Sequence, residues 1–156
     1  MKEVFPENEK LPTWLLTLMA KGKNVDFLAF YDDNTFCGFT YLIHYKKTSF
    51  VLYLATDKNI RSKGYGRQIL NWITNKNEFS NTVLNIETVD EKYDNYEQRL
   101  SRQKLYFKNG FVDSGYKIED KGDIYDVLYK GDVFDKEEYE SLIKKFSFGL
   151  LPVKFK

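Results

Sequence analysis

The stretch between residues 50 and 89 constrains the fold of this chain more than any other part. Residues 50–56 form a continuous run of apolar, β-branched and aromatic side chains, which is typical of a buried strand. Residues 64–76 follow with apolar side chains at helical spacing, and residues 83–89 form a second strand-like run. Two strands joined through a helix usually lie parallel in one sheet, with a right-handed crossover. The sequence therefore predicts a β-α-β unit with a parallel strand pair.

Antiparallel hairpins are predicted on both sides of this unit, because strand-like runs alternate there with short turns rich in Asp, Asn, Gly and Lys. The predicted elements are a helix at 11–19, strands at 25–31, 36–45 and 50–56, a helix at 64–76, a strand at 83–89, a loop at 90–97, a helix at 98–108, a hairpin of strands 111–118 and 124–130, and a helix at 136–145. This order predicts an α+β fold with a mixed, mostly antiparallel central sheet and flanking helices.

Composition limits the class of protein. A chain of 156 residues fits one domain, which we expect to span residues 1–156, and 24 basic against 23 acidic residues leave no strong field for nucleic acid or membranes. Cys37 is the one cysteine, so no intramolecular disulfide can form. The sequence contains no apolar stretch of membrane-spanning length and no signal-peptide pattern. We therefore expect a cytoplasmic protein; a homodimer stays open, since the sequence does not decide the oligomeric state.

A basic, glycine-bearing bend joins the first strand of this unit to its helix. Its residues are Arg61, Ser62, Lys63, Gly64, Tyr65, Gly66 and Arg67. Glycines at a helix start leave main-chain N–H groups uncovered, and these groups attract anions, as do the basic side chains beside them. The bend therefore favours a phosphate cradle, although a tight strand-to-helix connection with solvated lysines fits this segment equally well. Its spacing matches neither a Walker loop nor the dinucleotide G-x-G-x-x-G motif.

The same bend resembles the R/Q-x-x-G-x-G/A motif of the GNAT N-acetyltransferase family, which binds the pyrophosphate of acetyl coenzyme A. A second match follows at residues 105–111, Leu-Tyr-Phe-Lys-Asn-Gly-Phe, which resembles that family's L/F-Y-x-x-x-G-F signature. The predicted order of elements is also that of the GNAT fold, and the opening at residues 5–6 and the strand at 26–31 resemble bacterial members. The resemblance thus covers most of the chain and rests on two motifs in the correct order.

The resemblance implies direct acetyl transfer from acetyl coenzyme A to a primary amine of a small molecule, peptide or protein, without a metal. It implies that residues 61–67 hold the pyrophosphate, and that the main chain of Leu54, Ala55 and Thr56 binds the pantetheine arm and polarises the thioester. It also implies that Tyr106 protonates the leaving thiolate and that Glu87 removes the amine proton through water.

Each of these side chains has a simpler interpretation. Tyr106 could be a partly buried helix tyrosine, and Glu87 could face outward, because apolar and polar residues alternate along its strand. Many family members carry an asparagine where this chain has Arg99, and we interpret Arg99 as part of a solvated basic helix face. His44 and Cys37 have no partners at catalytic or metal-ligand spacing and are interpreted as structural.

Two rival functions remain for comparison. Residues 63–66 match the opening of an RNA-recognition signature, but that signature must lie on a strand, and this segment has helical periodicity, so we reject RNA binding. A catalytically silent acyl-coenzyme A sensor with the same fold is the second rival. The sequence does not identify the acceptor of the acetyl group. Acidic residues such as Glu87, Asp90 and Glu91 would suit a cationic amine, but they would also suit an ordinary solvated loop.

Overall fold

The computed structural model describes residues 17–18, 20–57, 59, 63–76, 78–146 and 154–155. Its strands are β1 (Val25–Asp32), β2 (Thr35–Tyr45), β3 (Thr48–Thr56), β4 (Asn81–Glu87), β5 (Val112–Asp120), β6 (Asp123–Gly131) and β7 (Lys154–Phe155). Its helices are α1 (Tyr65–Asn75), α2 (Tyr96–Lys108) and α3 (Lys136–Phe146).

The strands form one seven-stranded sheet in the order β1-β2-β3-β4-β6-β5-β7. Strands β3 and β4 pair in parallel, and the other pairs in the described part of the chain are antiparallel. The predicted meander, the parallel β-α-β unit, the late hairpin and the mixed, mostly antiparallel α+β sheet are thereby confirmed.

The observed boundaries differ from the prediction in a few places. Strand β4 begins and ends two residues before the predicted bounds, and α2 begins two residues earlier, so the predicted loop is shorter. Strand β7, which pairs with β5, is not among the predicted elements. Most of the predicted first helix lies outside the described residues; Thr17 and Leu18 are helical.

Alternation along the strands gives the sheet two apolar faces. One face packs against α3. The buried residues of this layer, from the sheet and the helix together, are Tyr41, Ile43, Phe50, Val83, Val127, Tyr139, Leu142 and Phe146. The other face packs against α1 and α2. The buried residues of this layer, from the sheet, the two helices and Phe111, are Leu42, Val51, Ile69, Leu70, Ile73, Leu84, Ile86, Tyr106, Phe111 and Leu128. The helices that follow β3 and β4 are therefore anchored on the same side of the sheet.

The parallel pair at the centre of the sheet is short. Pairing runs from Thr48 opposite Asn81 to Val51 opposite Leu84 and then stops, although β3 continues to Thr56 and β4 to Glu87. The pairing of β3 with β2 shifts register at this point, because Leu52 has no opposing residue on β2. A bulge of this kind bends and twists its strand. The carboxyl ends of β3 and β4 are consequently left unpaired with each other, and in open sheets ligands bind beyond such ends.

Candidate active site

The end of β3 directs some of its peptide groups away from β2. The Asp57 N–H donates to the Cys37 carbonyl at 2.9 Å, and the Tyr53 carbonyl accepts from Thr40 Oγ1 at 2.9 Å, so both groups point toward β2. Peptide direction alternates along a strand. The N–H and C=O groups of Leu54 and Thr56 therefore point to the other side, where the pairing with β4 has ended.

Ala55 has the opposite orientation. A Cβ atom at Gly38 on β2 would collide with the Ala55 carbonyl oxygen, which shows how closely the two main chains approach there. Ala55 is buried, and its peptide groups lie on the β2 side. Of the three predicted pantetheine contacts, Leu54 and Thr56 thus present their main-chain groups to the opening, while the contact at Ala55 stays a prediction.

The start of α1 presents free main-chain donors. Gly64 adopts the left-handed conformation (φ 78°), and its carbonyl accepts the first helical hydrogen bond, from Gln68 N at 3.0 Å. The N–H groups of Tyr65, Gly66 and Arg67 precede that bond and have no partner within the helix. The N-cap residue Gly64 has no side chain that could cap them, and the first turn contains no acidic residue. This end of the helix therefore offers uncompensated positive potential to an anion.

Three elements meet at Gly66. A Cβ atom there would lie 3.6 Å from Thr56 Cγ2 at the end of β3 and 3.8 Å from Leu105 Cδ2 on α2. The first amides of α1 thus adjoin the end of β3, whose pairing with β4 has stopped. Lys63 and Arg67 are exposed beside them, whereas Arg61 and Ser62 lie outside the described residues.

Tyr65 fastens this bend to the β1–β2 turn. Its hydroxyl donates to Asp32 Oδ2 at 2.7 Å, and this hydrogen bond to a carboxylate is the main reason why the pKa of Tyr65 rises to about 12. The side chain of Tyr65 therefore holds the bend in place, while the main-chain amide of Tyr65 remains available for the predicted cofactor contact.

Tyr106 lies in the core cluster between the sheet and the two helices. Its side chain is buried, with 8% of the residue exposed, and its ring packs edge-on against the Phe111 ring, with 5.7 Å between the ring centres. The main-chain carbonyl of Tyr106 accepts hydrogen bonds from the amides of Asn109 (3.0 Å) and Phe111 (3.1 Å). The Asn109-Gly110 end of α2 thus fixes the tyrosine, with Gly110 at φ 90°. Burial raises the pKa of Tyr106, so the phenol is protonated at neutral pH.

Glu87 lies at the last position of β4, past the point where β4 stops pairing with β3. Its carboxylate accepts from Asn95 Nδ2 at 3.3 Å and pairs with Arg99 Nε at 3.2 Å. The side chains of Glu87 and Arg99 are 13% and 9% exposed. The outward-facing alternative for Glu87 is therefore wrong, and so is the interpretation of Arg99 as part of a solvated basic face. Arg99 is held inside because β4 supplies a carboxylate at the level where α2 begins.

Sequence reasoning missed Arg99 and Asn95 as parts of this site. They lie four residues apart on α2 and its N-cap, which places them on one helix face, and Arg99 Nε also donates to Asn95 Oδ1 at 2.8 Å. An arginine at the position where the resembled motif has an asparagine was the available signal. Its partners could not be found without the pairing of β4 and α2.

A family model and solved structures match this architecture. The model described as acetyltransferase (GNAT) domain matches residues 23–113, more than half of the chain. The chain belongs to the GNAT acetyltransferase family. The matched segment includes the unpaired end of β3, the glycine bend and Tyr106.

The structural neighbours agree with this membership. A protein from Bacteroides thetaiotaomicron, assigned to the GNAT acetyltransferases, has a TM-score of 0.73 at 21% identity, over 96% of this chain and 88% of that chain. The ribosomal-protein-S18-alanine N-acetyltransferase of Escherichia coli gives a TM-score of 0.58 at 12% identity, covering 78% and 79%. The PaiA N-acetyltransferase of Thermoplasma acidophilum, solved with coenzyme A, gives 0.53 at 20%, covering 75% and 67%. No curated protein matches by sequence.

His44 has a structural environment in this GNAT fold. The Nε2 atom of His44 lies 2.9 Å from Asp26 Oδ2, and the same oxygen pairs with Lys76 Nζ at 3.0 Å. The His44 ring stacks on the Phe79 ring, with 4.3 Å between the ring centres. Burial raises the pKa of Asp26, but the hydrogen bonds from His44 and Lys76 outweigh burial and lower it overall. These residues tie β1 and β2 to the end of α1. Cys37 is 2% exposed, which agrees with the packed role predicted for it.

Of the helices that the structure describes, none combines the length and apolar character needed to cross a membrane. No three His, Cys, Asp or Glu side chains in the described ranges lie close enough to hold a metal ion.

Proposed function

We propose that this GNAT protein transfers the acetyl group of acetyl coenzyme A directly to a primary amine on a small molecule, peptide or protein, and that residues 1–156 form one catalytic domain. The observation that carries the proposal is the junction at Gly66, where the free amides of α1 adjoin the unpaired end of β3. A structural neighbour solved with coenzyme A supports the choice of ligand.

The residues present fit the cofactor. The amides of residues 65–67, with Lys63 and Arg67 beside them, offer hydrogen-bond donors and positive charge to a diphosphate, and we expect Arg61 and Ser62 to extend that contact. The unpaired peptide groups of Leu54 and Thr56 suit the amides of the pantetheine arm, which would extend the sheet as an additional strand does.

Acetyl coenzyme A supplies an activated thioester carbon, and the chain supplies proton transfers and polarisation. A β3 amide donates to the thioester carbonyl, which stabilises the charge that develops on oxygen when the amine nitrogen bonds to carbon. As the C–S bond breaks, Tyr106 gives its hydroxyl proton to the leaving thiolate and regains one from solvent. Glu87, acting through water, takes the proton that the amine nitrogen loses.

A thiol-release assay with a panel of amines and acyl donors tests the proposal. We expect turnover with acetyl coenzyme A and at least one amine, and Tyr106→Phe should lower kcat by about a hundredfold or more because it removes only the hydroxyl. The affinity for coenzyme A, measured by calorimetry, should change little, since Tyr106 is not among the diphosphate donors.

Two results would contradict separate parts of the proposal. Binding of coenzyme A without turnover on any amine favours the sensor. Activity that Tyr106→Phe leaves intact removes Tyr106 as the acid while keeping the acetyltransferase assignment.

A further inference from the structure

Arg99 lies between the start of α2 and the end of β4, with its guanidinium almost fully covered. Its Nε donates to Asn95 Oδ1 at 2.8 Å and lies 3.2 Å from Glu87 Oε2. Its Nη1 donates to the Thr88 carbonyl at 3.0 Å, and its Cζ lies 3.7 Å from the centre of the Tyr93 ring. The guanidinium therefore uses an ion pair, two hydrogen bonds and a stacking contact on protein groups.

These contacts all fall within residues 87–95, the connection from β4 to α2. Glu87 is the last residue of β4, Asn95 is the N-cap of α2, and Thr88 and Tyr93 lie between them. A single side chain thus fixes both ends and the middle of the connection. Asn95 strengthens this arrangement because its amide also donates to Glu87 at 3.3 Å.

Stability alone is a weak reason for this arrangement. Removing two charges from water costs several kcal/mol, and well-packed apolar residues of similar volume often stabilise a protein as well or better. The pair has a different consequence for Glu87, which is 13% exposed. A guanidinium at 3.2 Å limits the rotation of such a carboxylate and holds its oxygens in one direction.

We propose that Arg99 is a positioning residue for acyl transfer, which holds the Glu87 carboxylate and the 88–95 connection in the arrangement that meets the acceptor amine. This role rests on the proposed function. The contacts of Arg99 described above are all to protein groups, and its effect passes through Glu87.

A double-mutant cycle tests the role. We expect Arg99→Gln to lower kcat for the amine by roughly ten- to a hundredfold, while the KM for acetyl coenzyme A stays within about twofold. Because Arg99 acts through Glu87, the double variant Glu87→Gln/Arg99→Gln should be no slower than Glu87→Gln alone. Arg99→Lys should restore part of the loss, and Lys104→Gln, an exposed cation on the same helix, should match wild type.

The split between kcat and KM gives a readout that simple packing would not move. Glu87 is faced by Arg99 and Asn95, with Tyr125 at the paired position of β6. A general loosening of the fold would raise the KM for acetyl coenzyme A as well, whereas loss of the held carboxylate lowers kcat for the amine alone. Should Arg99→Gln fail to fold, Arg99→Lys with Glu87→Asp carries the same cycle.

Each remaining outcome overturns something specific. Losses that multiply in the double variant, or a raised KM for acetyl coenzyme A with unchanged kcat, would overturn the positioning role. A wild-type protein that binds coenzyme A but turns over no amine overturns the proposed function and this role with it. An active wild type with independent losses overturns the role alone.

Discussion

Replacing Gly66 by aspartate should move stability and cofactor binding in opposite directions. The new Cβ would meet Thr56 Cγ2 at 3.6 Å and Leu105 Cδ2 at 3.8 Å, which are ordinary van der Waals distances, so the side chain is accommodated. A carboxylate in the first turn of α1 compensates the helix dipole by about 0.3–1 kcal/mol, and removal of a helical glycine adds a few tenths. We therefore expect the melting temperature to rise by about 1–4 °C.

The same carboxylate should repel the ligand. Two unit negative charges about 6 Å apart, at an effective dielectric constant of about 20, repel each other by about 3 kcal/mol. That energy corresponds to roughly a hundredfold loss of affinity for coenzyme A. Competition of the new carboxylate for the free amides of α1 acts in the same direction.

Calorimetric titration with coenzyme A measures the affinity, and Gly66→Asn is the matched control because it has the same shape without the charge. We expect Gly66→Asn to bind at least tenfold more tightly than Gly66→Asp. Equal affinity in the two variants, both folded, would show that the diphosphate does not bind at this end of α1, and the cofactor assignment would fall.

Three further changes report on the framework. Gly38→Ala should lower the free energy of unfolding by about 2 kcal/mol in urea titrations, because its Cβ collides with the Ala55 carbonyl; an unchanged midpoint would contradict that close approach. Tyr65→Phe should weaken coenzyme A binding by loosening the tether to Asp32. Since folding raises the pKa of Tyr65 to about 12, the stability that this tether adds should be constant below pH 10 and shrink between about pH 10 and 12, and a difference unaffected by pH would argue against it. Asp26→Asn should lower the free energy of unfolding by about 1 kcal/mol at neutral pH. Because folding lowers the pKa of Asp26, the difference in unfolding free energy between the two proteins should shrink and vanish as the pH falls below the ordinary aspartate pKa near 3.8.

Much of the architecture could be predicted because its signals are local. The apolar run of β3, the glycine bend and the amphipathic pattern of α1 are contiguous in sequence, and together they specify a parallel β-α-β unit. The end of α2 could be predicted in the same way, because Gly110, at φ 90°, ends the helix four residues after Tyr106. These features depend on near neighbours along the chain.

The geometry of the opening could not be predicted, because it depends on how strands pair. The register shift at Leu52 is a relation between β2 and β3, and nothing within residues 50–56 distinguishes a bulged strand from a regular one. The buried state of Arg99 was missed for a related reason. Helical periodicity assigns an isolated arginine to solvent, whereas its burial depends on a carboxylate twelve residues earlier, in another element.

The two halves of the proposed site therefore differ in physical origin. The cofactor half consists of main-chain groups at a strand end and a helix start, so many side chains there can change as long as the glycine geometry persists. The acceptor half is organised by the side chains of Glu87, Asn95 and Arg99, in which one change leaves another polar group buried without its partner. Substitutions around residues 87–99 should consequently alter acceptor turnover sharply while leaving coenzyme A binding nearly unchanged. Acceptor choice can then vary between members of such a fold while the cofactor half stays the same.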